Sequence, residues 1–235
     1  MVIEQHNGIY VLRDDLLPGG TKSVILPHIL ERERWCYVYA SPVYGGMQIA
    51  LASYCKSIGK QAVIFCAKRK VPHANSLRAK TAGAIVYQVP YGYLSHTQKK
   101  AREYALQHNA QLVEFGGNYP VAIKAISDRM QQVTTRLGCE PDIIYCAAGS
   151  GTLLKGIVAG TSSAMIVAVQ VGAEVETQVG YPLPSRVMIK KYHKPFEKES
   201  TFRAPFPSCA NYDLKAWEYC IGDKPKGLVL FWNVL

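Results

Sequence analysis

The sequence predicts an α/β protein of βα units on mainly parallel sheets, and three observations carry that expectation. Short β-branched or aromatic runs alternate along its 235 residues with longer stretches of helical period. The helical stretches end on stop signals, with Gly59 after Ile58, Gly83 after Ala82 and Gly138 after Leu137. Hydrophobic residues make up 49% and charged residues 19%, which excludes a disordered tail, a collagenous repeat and a short disulfide scaffold. The length allows one large domain or two smaller ones that share a cleft.

In chain order, strands are expected at IYVL (9–12), WCYVY (35–39), AVIFC (62–66), AIVYQ (84–88), DIIYC (142–146), MIVAV (165–169) and LVLF (228–231). Helices are expected between them over 22–33, 45–58, 74–80, 94–109, 119–137, 152–159 and 213–220. The segment 180–211 breaks the rhythm. It holds five prolines among basic and aromatic residues and reads as an irregular surface excursion, long enough to be functional or mobile.

No apolar run reaches the roughly 20 residues of a membrane-spanning helix, and the start MVIEQHNGIY lacks the basic and apolar stretches of a signal peptide. A cytoplasmic protein with no membrane partner is therefore expected. Seven cysteines, an odd number without a Cys-x-x-Cys pair, fit neither a disulfide framework nor a zinc site, so no metal is expected. Cys36, Cys66 and Cys146 lie in or beside strand-like runs, where a thiol acts as a small hydrophobe.

The net charge of +10 gathers at Lys68, Arg69 and Lys70, at Lys99, Lys100 and Arg102, and at Lys190, Lys191 and Lys194. Such clusters attract polyanions, although each alone also reads as a solvated face. No helix-turn-helix, zinc-finger or RNA-binding signature accompanies them.

Three motifs carry chemistry. In VLRDDLLPGGTKS (11–23) a strand ends in an acidic pair, passes a Pro-Gly-Gly turn and delivers Lys22 to a helix start. An amine there has its charged form disfavoured and can act as a nucleophile. CAAGSGTLLKGI (146–157) runs from a strand through a small-residue loop into a helix, and so presents free backbone N–H groups to a phosphate. It is neither a P-loop, since Lys155 comes too late, nor a dinucleotide fingerprint. In NYDLKAW (211–217), Asp213 reads in isolation as a capping carboxylate.

Together, and in this order, the three motifs resemble the fold type II pyridoxal-phosphate enzymes, relatives of tryptophan synthase β, D-cysteine desulfhydrase and aminocyclopropane-carboxylate deaminase. The resemblance implies two parallel-sheet βα domains with pyridoxal 5'-phosphate in the cleft between them. The smaller domain would span 36–115, and the larger 1–35 with 116–235. Lys22 would be the lysine bonded to the cofactor, with Tyr212 beside it as the second catalytic residue. Ala148, Gly149, Ser150, Gly151 and Thr152 would hold the cofactor phosphate, and Asp213 would face the pyridine nitrogen. The family's Ser-x-Asn-His loop corresponds to SPVYGGMQIALA, where the asparagine is missing. Ser41, Tyr44 and Gln48 are the candidate substitutes at the cofactor ring. Thr21 stands where the family usually has asparagine.

The chain is similar to short bacteriophage members that act on amino acids attached to thymine. A lyase, decarboxylating an amino acid carried on a DNA base, is the leading expectation, with the 180–211 loop nearest the phosphates and a homodimer as the assembly. A deaminase or desulfhydrase of a free small amino acid is one alternative. A catalytically silent cofactor-binding or nucleic-acid-binding protein is the other.

Overall fold

The computed structural model describes residues 1–90 and 92–235. In chain order the elements are β1 (Ile3–His6), β2 (Ile9–Arg13), α1 (Lys22–Ile29), β3 (Cys36–Ser41), α2 (Met47–Ser57), β4 (Gln61–Ala67), α3 (Ala74–Thr81), β5 (Ile85–Val89), α4 (Leu94–Gln107), β6 (Gln111–Val113), α5 (Pro120–Leu137), β7 (Ile143–Ala148), α6 (Thr152–Gly160), β8 (Met165–Gln170), α7 (Val175–Val179), β9 (Val187–Lys191), α8 (Asp213–Asp223) and β10 (Val229–Asn233). The chain divides into two units, Met1–Leu17 with Asn118–Leu235 and Pro18–Gly117. Residues 18–35, expected in the larger domain, fall in the smaller unit because α1 packs on α2 there. Among the described residues, no helix is long and apolar enough to cross a membrane.

The larger unit holds a six-stranded sheet in the order β1-β2-β10-β7-β8-β9, in which β1 pairs antiparallel with β2 and every other pair is parallel. On one face Trp217 of α8 is wholly buried, with its ring edge-on to Phe206 at 4.9 Å and to Phe231 at 5.0 Å. The acidic pair after β2 is structural. Asp14 is fully buried and accepts hydrogen bonds from Arg129 and from the indole N–H of Trp232. Asp15 takes both forks of Arg13 at 2.9 Å.

The smaller unit holds a four-stranded parallel sheet in the order β5-β4-β3-β6. Val38, Ala40, Val63 and Phe65 pack there against Ala101 and Ala105 of α4.

Departures from the sequence reading have local causes. Helix α1 ends at Ile29 rather than 33, since Leu30 turns extended. The segment 180–211 is not wholly irregular: it contributes β9, which pairs with β8 from Ile166 opposite Val187 onward. The Arg186 guanidinium pins the start of that strand by donating to the carbonyl oxygens of Val158, Thr161 and Ala164.

Strand order locates one feature in each sheet. From β3 the chain proceeds to β4 and β5 on one side and returns to β6 on the other; from β7 it proceeds to β8 and β9, with β10 on the other side. At such a switch the loops diverge at the carboxyl ends of the strands and leave a crevice suited to a ligand. The switch points fall beside β3 and β7, the strands followed by residues 42–46 and 149–151.

Candidate active site

In the larger unit, β7 ends at the buried Ala148, and the loop Gly149, Ser150, Gly151 leads into α6 at Thr152. Gly151 has φ +78°, the left-handed region that suits glycine. Gly151, at the cap position, has no side chain to cap this helix, and the first turn holds no acidic residue, so its N–H groups and positive dipole end suit an anion. A Cβ at Gly149 would lie 3.2 Å from Cε2 of Tyr212 and 3.3 Å from its hydroxyl, tighter than an ordinary contact, so a side chain there would press on this ring.

Lys155 adds positive charge that the sequence reading had set aside. It lies one turn into α6, with its backbone N–H donated to Gly151, and it is buried. Its ammonium donates to Asn118 Oδ1 at 3.1 Å and stands 5.6 Å from the Tyr181 ring centre. A buried cation at the positive end of a helix favours an anionic ligand, and the i+4 spacing from Gly151 was its signal in the sequence.

Asp213 opens α8 and is wholly buried. Its Oδ2 accepts the backbone N–H of Leu235 at 3.0 Å, which places the carboxylate at the carboxyl end of β10, next to β7 at the switch point. Burial, with Asp213 second, pushes the Cys146 thiol up to about 12 and the Cys209 thiol up to about 11. The same two causes raise the Tyr212 phenol well above its ordinary value, although the Gly149 N–H donated to its oxygen pulls the other way. Tyr212 is thus a neutral hydroxyl between Asp213 and the glycine loop. Lys215 is not part of this group: it is buried and donates to the carbonyl oxygens of Pro195 and Phe196, both at 3.1 Å.

In the smaller unit, Lys22 is the first residue of α1 and half-buried. The Pro-Gly-Gly turn before it is fixed by close approach, because Gly19 has φ +90° and lies directly over Ala50 of α2. The loop after β3 leads into the same α2. Ser41 is buried and turns its hydroxyl into that loop, donating to Pro42 O at 2.8 Å. Gln48 is wholly buried, donates to the carbonyl oxygens of Val43 and Gly45 at 3.0 Å, and accepts from Ser76 at 3.1 Å. These two candidates therefore hold the loop in shape. Tyr44 keeps a half-buried ring, edge-on to His73 at 4.7 Å, and His73 is a neighbour that no sequence pattern announced. Among the described residues, no group of three or more His, Cys, Asp or Glu side chains could hold a metal ion.

Comparison with known proteins gives the family and the fold. The profile of the pyridoxal-phosphate dependent enzyme family matches residues 3–211. The glycyl-dTMP PLP-dependent decarboxylase of Pseudomonas phage M6 is 26% identical over 268 aligned positions, covering 97% of this chain and 95% of the relative. Among solved structures, an ACC deaminase homologue superposes with a TM-score of 0.81 at 19% identity, covering 96% of this chain and 83% of that one. A hydrogen sulfide-producing enzyme from Fusobacterium nucleatum superposes with a TM-score of 0.71 at 14% identity, covering 99% and 92%. The residues present fit the cofactor: a glycine loop that opens a helix with no acidic residue in its first turn suits its phosphate, and a buried carboxylate suits its ring nitrogen.

Proposed function

The chain belongs to the pyridoxal-phosphate dependent enzymes, and from that premise we propose that it is a lyase removing carbon dioxide from an amino-acid unit carried on a thymine base of DNA. The end-to-end likeness to the phage decarboxylase carries this reading beyond the family. In the reaction the carbon–carbon bond to the carboxylate breaks, carbon dioxide leaves, and a proton takes its place on the α-carbon.

Bound pyridoxal phosphate supplies the electron sink for the bond pair released at that carbon. Lys22 is the residue that would bond the cofactor aldehyde, and its amine would hold or move a proton at the α-carbon. Backbone N–H groups over Ala148, Gly149, Ser150, Gly151 and Thr152 bind the phosphate, and Lys155 adds its charge. The Asp213 carboxylate would hold the ring nitrogen protonated through a charge-assisted hydrogen bond, and so deepen the sink as a neutral hydroxyl partner would not. Tyr44 orients the ring, with Ser41 and Gln48 supporting its loop. The Tyr212 hydroxyl, held neutral by burial and by Asp213, serves as a hydrogen-bond donor, or relays a proton by taking one up as it gives one up.

The test offers the loaded protein thymine-linked glycine labelled at the carboxyl carbon, on DNA and as the nucleotide, beside a panel of free amino acids. Labelled carbon dioxide from the thymine-linked substrate supports the proposal. Ammonia or sulfide from a free amino acid, with thymine-linked glycine untouched, replaces it with the deaminase or desulfhydrase reading.

A further inference from the structure

The net charge of +10 is divided very unequally. Residues 18–117 hold 13 Lys and Arg against 4 Asp and Glu, a net of +9, whereas the larger unit holds 14 against 13, a net of +1. The basic residues of β9 also have carboxylate neighbours. Lys190 lies 2.6 Å from both oxygens of Asp223, and Lys191 reaches Glu174 at 4.0 Å. Within the segment 180–211, expected from sequence to face phosphates, Lys190 is therefore a compensated charge rather than a free polyanion contact.

The smaller unit has a better one at the carboxyl edge of its sheet. Lys68, Arg69 and Lys70 follow β4, are all exposed, and none pairs with a carboxylate among the described residues. The Lys68 N–H donates to Val89 O at 2.8 Å, which ties this turn to the end of β5. Gly92 packs so closely on Ala67 that a Cβ there would lie 3.0 Å from the alanine methyl. Tyr93, 79% exposed, follows Gly92 directly at the start of α4, in the same loop cluster. Beyond the basic turn, Asn75 donates to Tyr44 O at 3.0 Å, and His73 meets the Tyr44 ring. The cluster is continuous with the loop proposed to orient the cofactor.

We propose that this carboxyl-edge cluster binds single-stranded DNA, with Lys68, Arg69 and Lys70 on successive phosphates and Tyr93 stacked on a base. The inference rests on the reading that the substrate is carried on DNA, and it adds where the strand lies and that a strand, not a free nucleotide, is the form recognised. Uncompensated charge beside an exposed aromatic ring is the composition of a surface that tracks a sugar-phosphate backbone while stacking its bases. A base carrying the reacting group has to leave a duplex stack to reach a pocket, so an unpaired strand is the form such a surface holds.

The experiment measures fluorescence anisotropy of a labelled, unmodified, thymine-containing single strand of about 20 nucleotides with the cofactor-loaded protein. Affinity is expected to fall as salt rises. The triple variant K68E/R69E/K70E should bind at least about tenfold more weakly at 50 mM salt and flatten the log–log salt slope by about 2, from about 0.7 per phosphate contact. Its neutral counterpart K68Q/R69Q/K70Q should fall between the two. Tyr93→Ala should weaken binding about fivefold or more and leave the salt slope unchanged. K190Q/K191Q should stay within about twofold of wild type. Unchanged cofactor absorbance and melting temperature establish that each variant is folded. Wild-type affinity in the triple variant, or loss of affinity in K190Q/K191Q alone, would overturn the proposal. Strand binding that disappears in the triple variant, from a protein that decarboxylates no thymine-linked glycine, keeps this surface and removes the substrate reading. Turnover of the free nucleotide with no affinity for strands does the reverse.

Discussion

A single methyl group at residue 19 tests how the fold delivers Lys22. An ideal Cβ on Gly19 would stand 2.2 Å from Cα of Ala50, 2.5 Å from its Cβ and 2.8 Å from its backbone nitrogen. Carbon atoms are at rest near 3.5–4.0 Å, so α2 or the turn must move by more than about 1 Å to admit alanine. Two costs add. The backbone sits at φ +90°, where an L-residue loses about 1–2 kcal/mol, and forcing an overfilled contact costs about 1–3 kcal/mol more. Gly59 provides the control, because its φ is +67° and nothing lies within 4 Å of its Cβ, so Gly59→Ala carries the backbone cost alone. At about 2–4 °C per kcal/mol for a chain of this size, Gly19→Ala should melt about 2–12 °C below Gly59→Ala by circular dichroism. It should also lower the fraction of Lys22 that borohydride fixes to the cofactor, since the displaced turn leads directly into that residue. Equal melting temperatures and equal fixation in the two variants would refute the claim that contact with α2 positions Lys22.

Three further outcomes are expected. Asp213→Asn keeps an oxygen for the Leu235 N–H but loses the charge, so cofactor binding should persist while carbon dioxide release falls at least about 100-fold; unchanged turnover removes Asp213 from the site. Gly149→Val should weaken cofactor binding measured by equilibrium dialysis, because its side chain meets the Tyr212 ring at 3.2 Å or less. Burial alone would raise the Glu140 carboxyl, but backbone N–H groups of Ser162, Ser163 and Ala164 and the Ser163 hydroxyl outweigh it and hold the group at about 2. A folded value below the unfolded one stabilises above about pH 4.5 and is lost as pH falls toward 2; for this half-exposed group we expect about 1–2 kcal/mol after screening. Glu140→Gln should therefore destabilise at pH 7 and converge on wild type near pH 2 in urea titrations.

Much of the fold was legible because local signals and burial agreed. Helix α5 was expected over 119–137 and runs Pro120–Leu137, opened by a proline and closed by Gly138 at φ +83°. The elements that were not legible depend on partners distant in sequence. IEQH becomes β1 by pairing with β2, and QLV becomes β6 by pairing with β3. In β9, basic residues look like loop until Asp223 neutralises Lys190. The site divides in the same way. Lys22, the glycine loop and Asp213 stood out by residue type and order, whereas Ser41 and Gln48, chosen as candidates at the ring, spend their hydrogen bonds on loop carbonyls. That difference lies in side-chain direction, which motif spacing does not encode. His73 beside Tyr44 likewise emerges only when the chain is folded, and so does the burial of Lys155, although its place one turn after Gly151 stood in the sequence.

The measurement closest to the central claim is borohydride reduction of the cofactor-loaded protein, followed by digestion and peptide mass mapping. The account predicts one pyridoxyl group per chain, on the peptide containing Lys22, and none in Lys22→Ala. A pyridoxyl group on Lys155, Lys215 or any other lysine of the wild-type protein, or the same adduct retained in Lys22→Ala, would contradict it.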